Sequence, residues 1–450
     1  MKIRLSTAVF VSALLAGCAT YTPRPLNPAK TAAALSRRGL SDPRLLRFLA
    51  AEQHRAGPLR WNLDTLTLAA IYERPDMPLA TAKLREARAG ETTAAALPNP
   101  TLSIAPTYDT TTIASPWTVG PIVTFLIQPY GARPARIARA RAQAAEVRQA
   151  VAVTAWQLRA EVRTALLGVW SAQRAAALAA QRASFASRYR EAVEQRYQAG
   201  MVSAAALTTA TLAQNQAELQ LAADRRATRL ARAGLTAALG LPATALDGVE
   251  LDLSGLSQPR QPGKLEALIH AALTTRPDLL AALAHYAAAE AALRLAVARQ
   301  YPAIDIGPGY HYDQGDNKFL LSISLPLPIL NQNQGPIAQA RAARQVAAEQ
   351  FLATQTKVLA EIDRARTDWH ASESEQESAS RLRKAAADAL DRQRSAFAAG
   401  QIGRLRLLGA EIAYVQAQQS ALSASVHDRA ALGQLETALY HPFLVANRSQ

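Results

Sequence analysis

Cysteine and methionine are almost absent from this 450-residue sequence, which contains one Cys and three Met. The single Cys18 cannot form a disulfide within the chain, and Met77 and Met201 alone cannot build a Met-rich copper relay. GxSxG, HExxH, P-loop and CxxC motifs are also absent, and no two of the seven His residues are spaced i, i+4. We therefore expect no enzyme activity, no catalytic residues, no bound cofactor and no resident metal site.

The N-terminus has the pattern of an export signal. Lys2 and Arg4 precede an apolar stretch, and small residues precede Cys18. This pattern predicts a signal peptide over 1–17, which is too short to span a membrane as a helix. Leu15-Ala16-Gly17-Cys18 resembles the bacterial lipobox, so we expect acyl chains, palmitate among them, on Cys18 and a lipidated N-terminal segment over 18–60. The alternative is an ordinary signal peptide followed by a stray cysteine.

The chain is strongly basic, with a net charge of +15. Removal of the leader with its two basic residues would leave 15 − 2 = +13 on the mature chain. A basic chain is often a nucleic-acid binder, but an exported one does not meet cytoplasmic nucleic acid, so we expect no such partner. The charge can instead face anionic lipid or an acidic protein, or be solvated helix surface, and we favour the last.

An internal duplication organises the chain. Five short segments recur in the same order at an offset of 200 to 202 residues. The pairs are Arg74-Pro75-Asp76 with Arg276-Pro277-Asp278, Asn99-Pro100 with Tyr301-Pro302, Ile137-Ala138 with Ile337-Ala338, Ala199-Gly200 with Ala399-Gly400, and Leu241-Pro242 with His441-Pro442. We infer a first repeat over 61–245, a linker over 246–263, a second repeat over 264–442 and a tail over 443–450.

Each repeat predicts the same order of elements, so the fold class is mainly α with a small β part. A helix (66–96 and 265–300) precedes two short strands, a very long helix (134–199 and 336–399) and a final helix (203–239 and 404–439). Ala, Leu, Arg, Gln and Glu dominate the helical segments. Helices of roughly 60 residues, about 90 Å long, exceed ordinary globular helices and indicate coiled-coil packing. A coiled-coil rod without a channel is the alternative at this point.

The predicted strands favour a membrane protein over that rod. They cover about 101–109, 118–128, 303–313 and 318–328, and apolar residues alternate with polar or small ones along each of them. Such alternation is typical of transmembrane barrels, although a half-buried soluble sheet shows it too. Four strands cannot close a barrel, and lipid tolerates no open sheet edge. Three copies would supply 3 × 4 = 12 strands, so we expect a homotrimer with a coiled-coil tunnel below the barrel.

The order of these features resembles the TolC-like outer-membrane factors, also called outer membrane efflux proteins. The resemblance covers residues 59–442. It rests on the signal and lipobox, the duplicated helix–hairpin–long-helix unit and the strand-to-helix junctions. The junction LPLPILNQNQG at 325–335 most resembles the cobalt–zinc–cadmium cation-efflux branch.

The resemblance implies a passive duct for efflux across the bacterial outer membrane. The implied partners are two more copies of the chain, outer-membrane lipid, a periplasmic adaptor (membrane fusion protein) and an inner-membrane pump of the resistance-nodulation-division type. The favoured cargo is divalent heavy-metal cations, which would give metal resistance. A multidrug or type I secretion duct and a structural coiled-coil lipoprotein remain open as alternatives.

Two kinds of segment are candidate functional sites. We expect the barrel-to-tunnel bends at two junctions where Pro and Gly cluster: Pro129, Gly131 and Pro134 in the first repeat, and Pro326, Pro328, Gly335 and Pro336 in the second. The resemblance implies that two turns face the adaptor: Gly200, Met201, Val202 and Ser203, and Gly400, Gln401, Ile402 and Gly403. By spacing alone these turns could be ordinary hairpin connections. Arg404 and Arg406 follow the second turn, so we carry over no acidic gate.

Overall fold

The computed structural model describes residues 21–53, 59–111, 115–257 and 263–443. The predicted signal peptide and Cys18 therefore lie outside the described residues, as does all but the first residue of the predicted tail. The helices are α1 (Pro28–Ser36), α2 (Pro43–Gln53), α3 (Leu63–Glu73), α4 (Asp76–Ala95), α5 (Ala132–Gln198), α6 (Ala204–Leu239), α7 (Ser254–Ser257), α8 (Leu265–Thr275), α9 (Pro277–Ala298), α10 (Gln334–Ala398) and α11 (Arg404–Leu439). The strands are β1 (Thr101–Ile104), β2 (Thr107–Tyr108), β3 (Trp117–Val119), β4 (Pro121–Ile127), β5 (Ile304–Asp313) and β6 (Asp316–Ser324).

Two very long helices, α5 and α10, run through the molecule. They contain 67 and 65 residues, which corresponds to about 100 Å each at 1.5 Å per residue. Alanine makes up much of the buried surface of α5, so neighbouring helices can approach closely. Both helices start two residues before the predicted positions, each directly after a residue with a left-handed backbone, Gly131 and Asn333.

The first helix of each repeat is broken in two, which corrects the predicted single helices over 66–96 and 265–300. The break falls at Arg74 and at Arg276, each of which precedes a proline. The proline ring disfavours the helical conformation of the residue before it, and at these two breaks the arginines have extended backbones with ψ of 140° and 131°. The segment Leu265–Ala298 is apolar and long enough by composition to cross a membrane, but it consists of the two helices α8 and α9.

The helices form a wall in which two helices of the first repeat are followed by two helices of the second, both near the sheet and towards the turns. Near the sheet the neighbours are α4–α5–α9–α10, and towards the turns they are α6–α5–α11–α10. Each repeat has its own apolar core at the middle of the wall. Equivalent residues fill the two cores: Val162 and Ile362, Leu235 and Leu435, and Leu239 and Leu439.

The six strands form one antiparallel sheet with four strand positions. β2 continues β1, and β3 and β4 together pair with β5, whose other side pairs with β6. The predicted strands 101–109 and 118–128 are thus each interrupted, the second at Gly120. The fourth strand is Asp316–Ser324 rather than 318–328. The ladder ends at Ser324 because Pro326 and Pro328 have no N–H group to donate.

Candidate channel site

The two faces of the sheet differ in character. Residues that pair across strands lie on the same face, as Leu102 does with Val123, Phe125 with Ile306 and Ile306 with Ile323. Successive residues within each strand lie on opposite faces. The apolar face carries Leu102, Ile104, Tyr108, Trp117, Val119, Val123, Phe125, Ile127, Ile304, Ile306, Pro308, Tyr310, Tyr312, Phe319, Leu321 and Ile323. Most of these side chains are exposed, and Phe319 is 86% exposed. The other face, here called the polar face, carries Ser103, Thr124, Asp305, His311, Asp313, Lys318, Ser322 and Ser324, together with the apolar Ile122, Leu126 and Leu320.

Aromatic residues collect on the apolar face at the end away from the helices. Tyr108 and Trp117 pack edge to face with centroids 4.9 Å apart, and Tyr310 and Phe319 lie 5.7 Å apart. An exposed apolar band that ends in aromatic side chains is the pattern of a surface that faces a bilayer. The exposed apolar face supports a membrane location over a half-buried soluble sheet.

Gly120 allows the backbone between β3 and β4 to lie close against β5. A Cβ atom at this residue would lie 1.8 Å from the carbonyl oxygen of Tyr310 and 2.7 Å from Cα of His311. Both of these are backbone positions, so no side-chain rotation can relieve the clash. On the polar face beside it, Thr118 donates a hydrogen bond of 2.7 Å to Asp313, and Lys318 forms an ion pair of 2.5 Å with the same carboxylate.

The first junction lies directly between β4 and α5. Pro129 follows the end of β4 by two residues, and Gly131 has a φ of 80° immediately before α5. Pro134 lies in the first turn of α5, where its missing N–H has no intrahelical partner to lose. Arg133 and Arg136 then donate to the carbonyl oxygens at the end of α4, over distances of 2.7 to 3.1 Å.

The second junction lies between β6 and α10, and one of its residues differs from expectation. Pro326 and Pro328 follow the end of β6, and Pro336 lies in the first turn of α10. Gly335 was expected to permit the bend, but it lies inside the helix. The left-handed residue is Asn333, with a φ of 63°. Its side chain donates a hydrogen bond of 2.6 Å to the carbonyl oxygen of Ala296 in α9, which ties the junction to the wall.

The two turns at the far end of the wall have the same backbone. Gly200 and Gly400 both have a φ of 70° and follow the long helices. In each turn two N–H groups donate back to the last helical turn: Gly200 to Tyr197 and Met201 to Arg196, and Gly400 to Phe397 and Gln401 to Ala396. Glycine is favoured at this left-handed position because it has no Cβ. Both turns leave open space around the glycine.

The other turn residues differ between the repeats. Ser203 caps α6 by accepting a hydrogen bond from the N–H of Ala206, whereas Gly403 provides no side-chain cap to α11. A Cβ on Gly403 would lie 3.3 Å from the guanidinium of Arg196, so the structure brings the two turns together. Met201 is 66% exposed and Val202 and Ile402 are half-buried, which gives this end an apolar character.

Sequence reasoning found the repeated Arg-Pro-Asp motif but not its role. Arg276 donates to Asp278 at 2.6 Å, to Glu361 of α10 at 3.0 Å and to the carbonyl oxygen of Ala438 at 2.5 Å. Its guanidinium lies over the ring of Tyr440, 4.8 Å from the centroid. Burial and the nearby Asp278 carboxylate raise the pKa of Tyr440 to about 12, so the phenol stays neutral at physiological pH.

The first repeat contains the same cluster in a weaker form. Arg74 pairs with Asp76 at 2.9 Å, pairs with Glu161 of α5 and reaches the carbonyl oxygen of Ala238 at 3.4 Å. Gly240 stands where the second repeat has Tyr440, so no aromatic ring lies under this guanidinium. Each arginine thus joins the helix break, the long helix and the end of the last helix of its own repeat.

A buried ion pair joins the two repeats to each other. Arg163 of α5 contacts Glu436 of α11, and both side chains are less than a tenth exposed. A Cβ on Gly433 would lie 2.7 Å from Nε of Arg163, so this glycine makes room for the guanidinium. Removing one partner of such a pair leaves a buried charge without compensation.

The described residues contain no group of three His, Cys, Asp and Glu side chains that could hold a metal ion. Three histidines each contact one carboxylate: His285 contacts Glu146 and His370 contacts Glu373 at 3.3 Å, and His427 contacts Glu375 at 3.5 Å. A passive duct needs no ligand cluster, because tight binding would slow passage.

Comparison with known proteins agrees with this geometry. CzcC, the cobalt-zinc-cadmium resistance protein of Cupriavidus metallidurans, is 28% identical over 300 residues, which cover 66% of this chain and 70% of that protein. The outer membrane protein VceC from Vibrio cholerae has a TM-score of 0.69 at 18% identity, covering 85% of this chain and 97% of that chain. A membrane protein from Pseudomonas aeruginosa has a TM-score of 0.66 at 22% identity, covering 84% and 93%. The two solved structures show that the fold is shared.

The family model described as outer membrane efflux protein matches residues 67–241 and 268–439, which lie within the two predicted repeats. This confirms the resemblance stated from the sequence. With an exposed apolar sheet face at one end and a long helical wall below it, the chain belongs to the outer membrane efflux protein family of channels.

Proposed function

We propose that three copies of this chain close into a continuous duct, a twelve-stranded barrel above a helical tunnel. The observation that carries the proposal concerns the order of neighbours in the sheet and in both halves of the wall. In all three, elements of the first repeat lie at one open edge and elements of the second repeat lie at the other. One edge consists of β1, α4 and α6, and the other consists of β6 and α10. An open strand edge in lipid leaves backbone groups without partners, so β6 of one copy must pair with β1 of the next. The same threefold rotation would bring α10 of one copy against α4 and α6 of the next copy below the barrel.

The two sheet faces fit this closure. The apolar face, with its aromatic end, would contact the bilayer, and the polar face with Asp305, His311 and Lys318 would line the lumen. The acyl chains expected on Cys18 would anchor the chain to the outer membrane. A coiled-coil lipoprotein without a channel would not need an exposed apolar sheet face.

We further propose that the duct exports divalent heavy-metal cations in a tripartite system. The relative CzcC is a cobalt-zinc-cadmium resistance protein, and the junction 325–335 points to the same branch. An adaptor would meet the turns at Gly200–Ser203 and Gly400–Gly403, and an inner-membrane pump of the resistance-nodulation-division type would supply the energy.

Deleting the gene tests the cargo. We expect inhibitory concentrations of zinc, cobalt and cadmium to fall, because the cations would have no exit through the outer membrane. Dyes and antibiotics should keep their inhibitory concentrations. Sensitivity to dyes and antibiotics alone would assign the chain to the multidrug branch.

Purified protein in planar bilayers tests the duct itself, since a rod without a channel would give no ion conductance.

Substitutions in the turns test adaptor docking. We expect Gly400→Glu to leave the trimer assembled but to abolish export, because the added side chain would project from the docking end. The strain of a left-handed non-glycine residue costs only about 1 kcal/mol, which the trimer can absorb. The readouts are trimer content on native gels and the inhibitory concentration of zinc.

Gly248 offers a matched control for the turn. It has a φ of 73° and the same open space, but it lies in the linker between the repeats, far from the turns. Gly248→Glu should therefore impose the same backbone strain and retain export. Equal export by the two variants would contradict a docking role for the second turn.

A further inference from the structure

The N-terminal segment over residues 21–37, here called the N-terminal arm, is not covered by any of the described residues of its own chain. Every residue of the arm is exposed, and α1 has no buried residue. Yet α1 has a capped N-terminus: Asn27 accepts a hydrogen bond of 3.0 Å from the N–H of Lys30, and Pro28 occupies the first helical position. A nine-residue helix is not stable alone in water, so a partner must cover it.

The exposed side chains of the arm indicate the nature of that partner. Tyr21 is 88% exposed, Leu26 is 89% exposed and Leu35 is 48% exposed. The residues between them include four alanines and no acid. Such a segment fits a surface that offers apolar packing together with negative charge.

The root of the arm is fixed at one open edge of the wall. Arg38 donates to the carbonyl oxygen of Glu73, and its Nε lies 3.4 Å from the Glu73 carboxylate. Leu40 is buried in the core of the first repeat. Arg74, the next residue after Glu73, reaches the carbonyl oxygen of Ala238 at the end of α6. The arm therefore leaves the wall where α3, α4 and α6 meet, at the edge that carries α4 and α6.

The opposite edge carries acids at the same level of the wall. Arg74 marks that level in the first repeat by its contact with Glu161, and Arg276 marks it in the second by its contact with Glu361. Asp363 of α10 is 70% exposed and Glu266 of α8 is 86% exposed, and both form ion pairs with Arg366, at 3.8 Å and 3.7 Å. In a closed ring these acids of one copy face the edge of the next copy from which the arm leaves.

We propose that the N-terminal arm binds the neighbouring copy of this chain, packing its apolar side chains against α8 and α10 across the joint between subunits. The proposal rests on the proposed ring. Lys30 and Arg37 would lie near the acids of that neighbour. The length of the arm fits: nine helical residues span about 14 Å and eight extended ones about 26 Å, while α4 beside it is about 30 Å long. The arm can thus follow the joint from its root towards the membrane end of the wall.

Site-specific photocross-linking of the full-length protein in membranes tests the proposal. p-Benzoylphenylalanine in place of Leu35 should yield products between chains, with the attachment site in α8 or α10 of another copy by mass spectrometry. The same photoprobe in place of Leu219 is the control, because Leu219 is 71% exposed on α6 and belongs to the ring edge without belonging to the arm.

The two positions separate failure of the arm from failure of the ring. Products between chains from position 219 but only lipid or own-chain products from position 35 would overturn the arm proposal and leave the duct standing. No products between chains from either position would overturn both. As a second measure, Leu35→Asp should raise the protein concentration at which trimers half-dissociate by tenfold or more. Leu283→Asp, on a half-exposed leucine of α9 away from both edges, should not. Equal shifts for the two variants would also overturn the arm proposal.

Discussion

Gly120→Val is expected to abolish ion conductance by the reconstituted protein while the helical wall stays folded. The Cβ of any replacement would lie 1.8 Å from the Tyr310 carbonyl oxygen and 2.7 Å from the Cα of His311, and valine adds two methyl groups to that clash. Strands β3 and β4 would have to leave β5, which opens the sheet at its centre. Lipid cannot satisfy the freed backbone groups, so the proposed barrel would not close. Planar-bilayer recording gives conductance, and far-ultraviolet circular dichroism gives helix content.

Substitutions of two other glycines should reduce conductance less or not at all. Gly309→Ala places a Cβ 2.9 Å from the side chain of Ile122, which can move, so we expect reduced but measurable conductance. Gly168→Ala lies inside α5 and meets no atom within 4 Å outside its own helix, and alanine is a better helix former than glycine by about 1 kcal/mol. It should conduct like the unaltered chain. Full conductance by the valine variant would show that the strand register around Gly120 is not needed in the membrane.

Some of this architecture was readable from local sequence patterns. The 200-residue offset, the punctuation by Gly200 and Gly400, and the alternation along β5 and β6 depend on neighbouring residues only, so the helices and hairpins could be placed. Gly120 carried a usable signal, because a glycine inside a strand pattern often marks a close backbone approach. The Pro residues at 75 and 277 likewise marked breaks that the predicted single helices ignored.

Other features depend on contacts across the chain and left no local signal. Asn333 takes the left-handed conformation in place of Gly335 because its side chain reaches Ala296, 37 residues away in sequence. Arg163 and Glu436 meet from opposite repeats, and nothing in either segment marks a buried ion pair. The open edges of the wall appear only when the order of strands and helices is known. The sequence could therefore predict the fold class and the candidate turns, but not the edges at which the proposed ring would close.

Removing the arginine of the Arg-Pro-Asp motif should destabilise the second repeat far more than the first. The Arg276 side chain is 4% exposed and stacks on Tyr440, and its loss leaves Asp278 and the carbonyl oxygen of Ala438 without their donor. Breaking a buried pair costs about 3–5 kcal/mol, and we expect about 3 kcal/mol for Arg276→Ala because Asp278 and Glu361 are partly solvated. Thermal unfolding of the detergent-solubilised protein, followed by circular dichroism, measures the change in Tm.

Arg74→Ala is the control that the duplication itself provides. Its side chain is 19% exposed, its acid partners are 40% and 53% exposed, and Gly240 replaces the aromatic ring. Solvent screens such pairs, so we expect a loss of about 1 kcal/mol and a smaller fall in Tm. Arg276→Lys should fall between the two, because lysine keeps the charge but cannot bridge Asp278, Glu361 and a carbonyl oxygen with one rigid group. Equal falls in Tm for both alanine variants would mean that burial and the Tyr440 ring do not set the strength of the cluster, and that its helix-joining role is the same in both repeats.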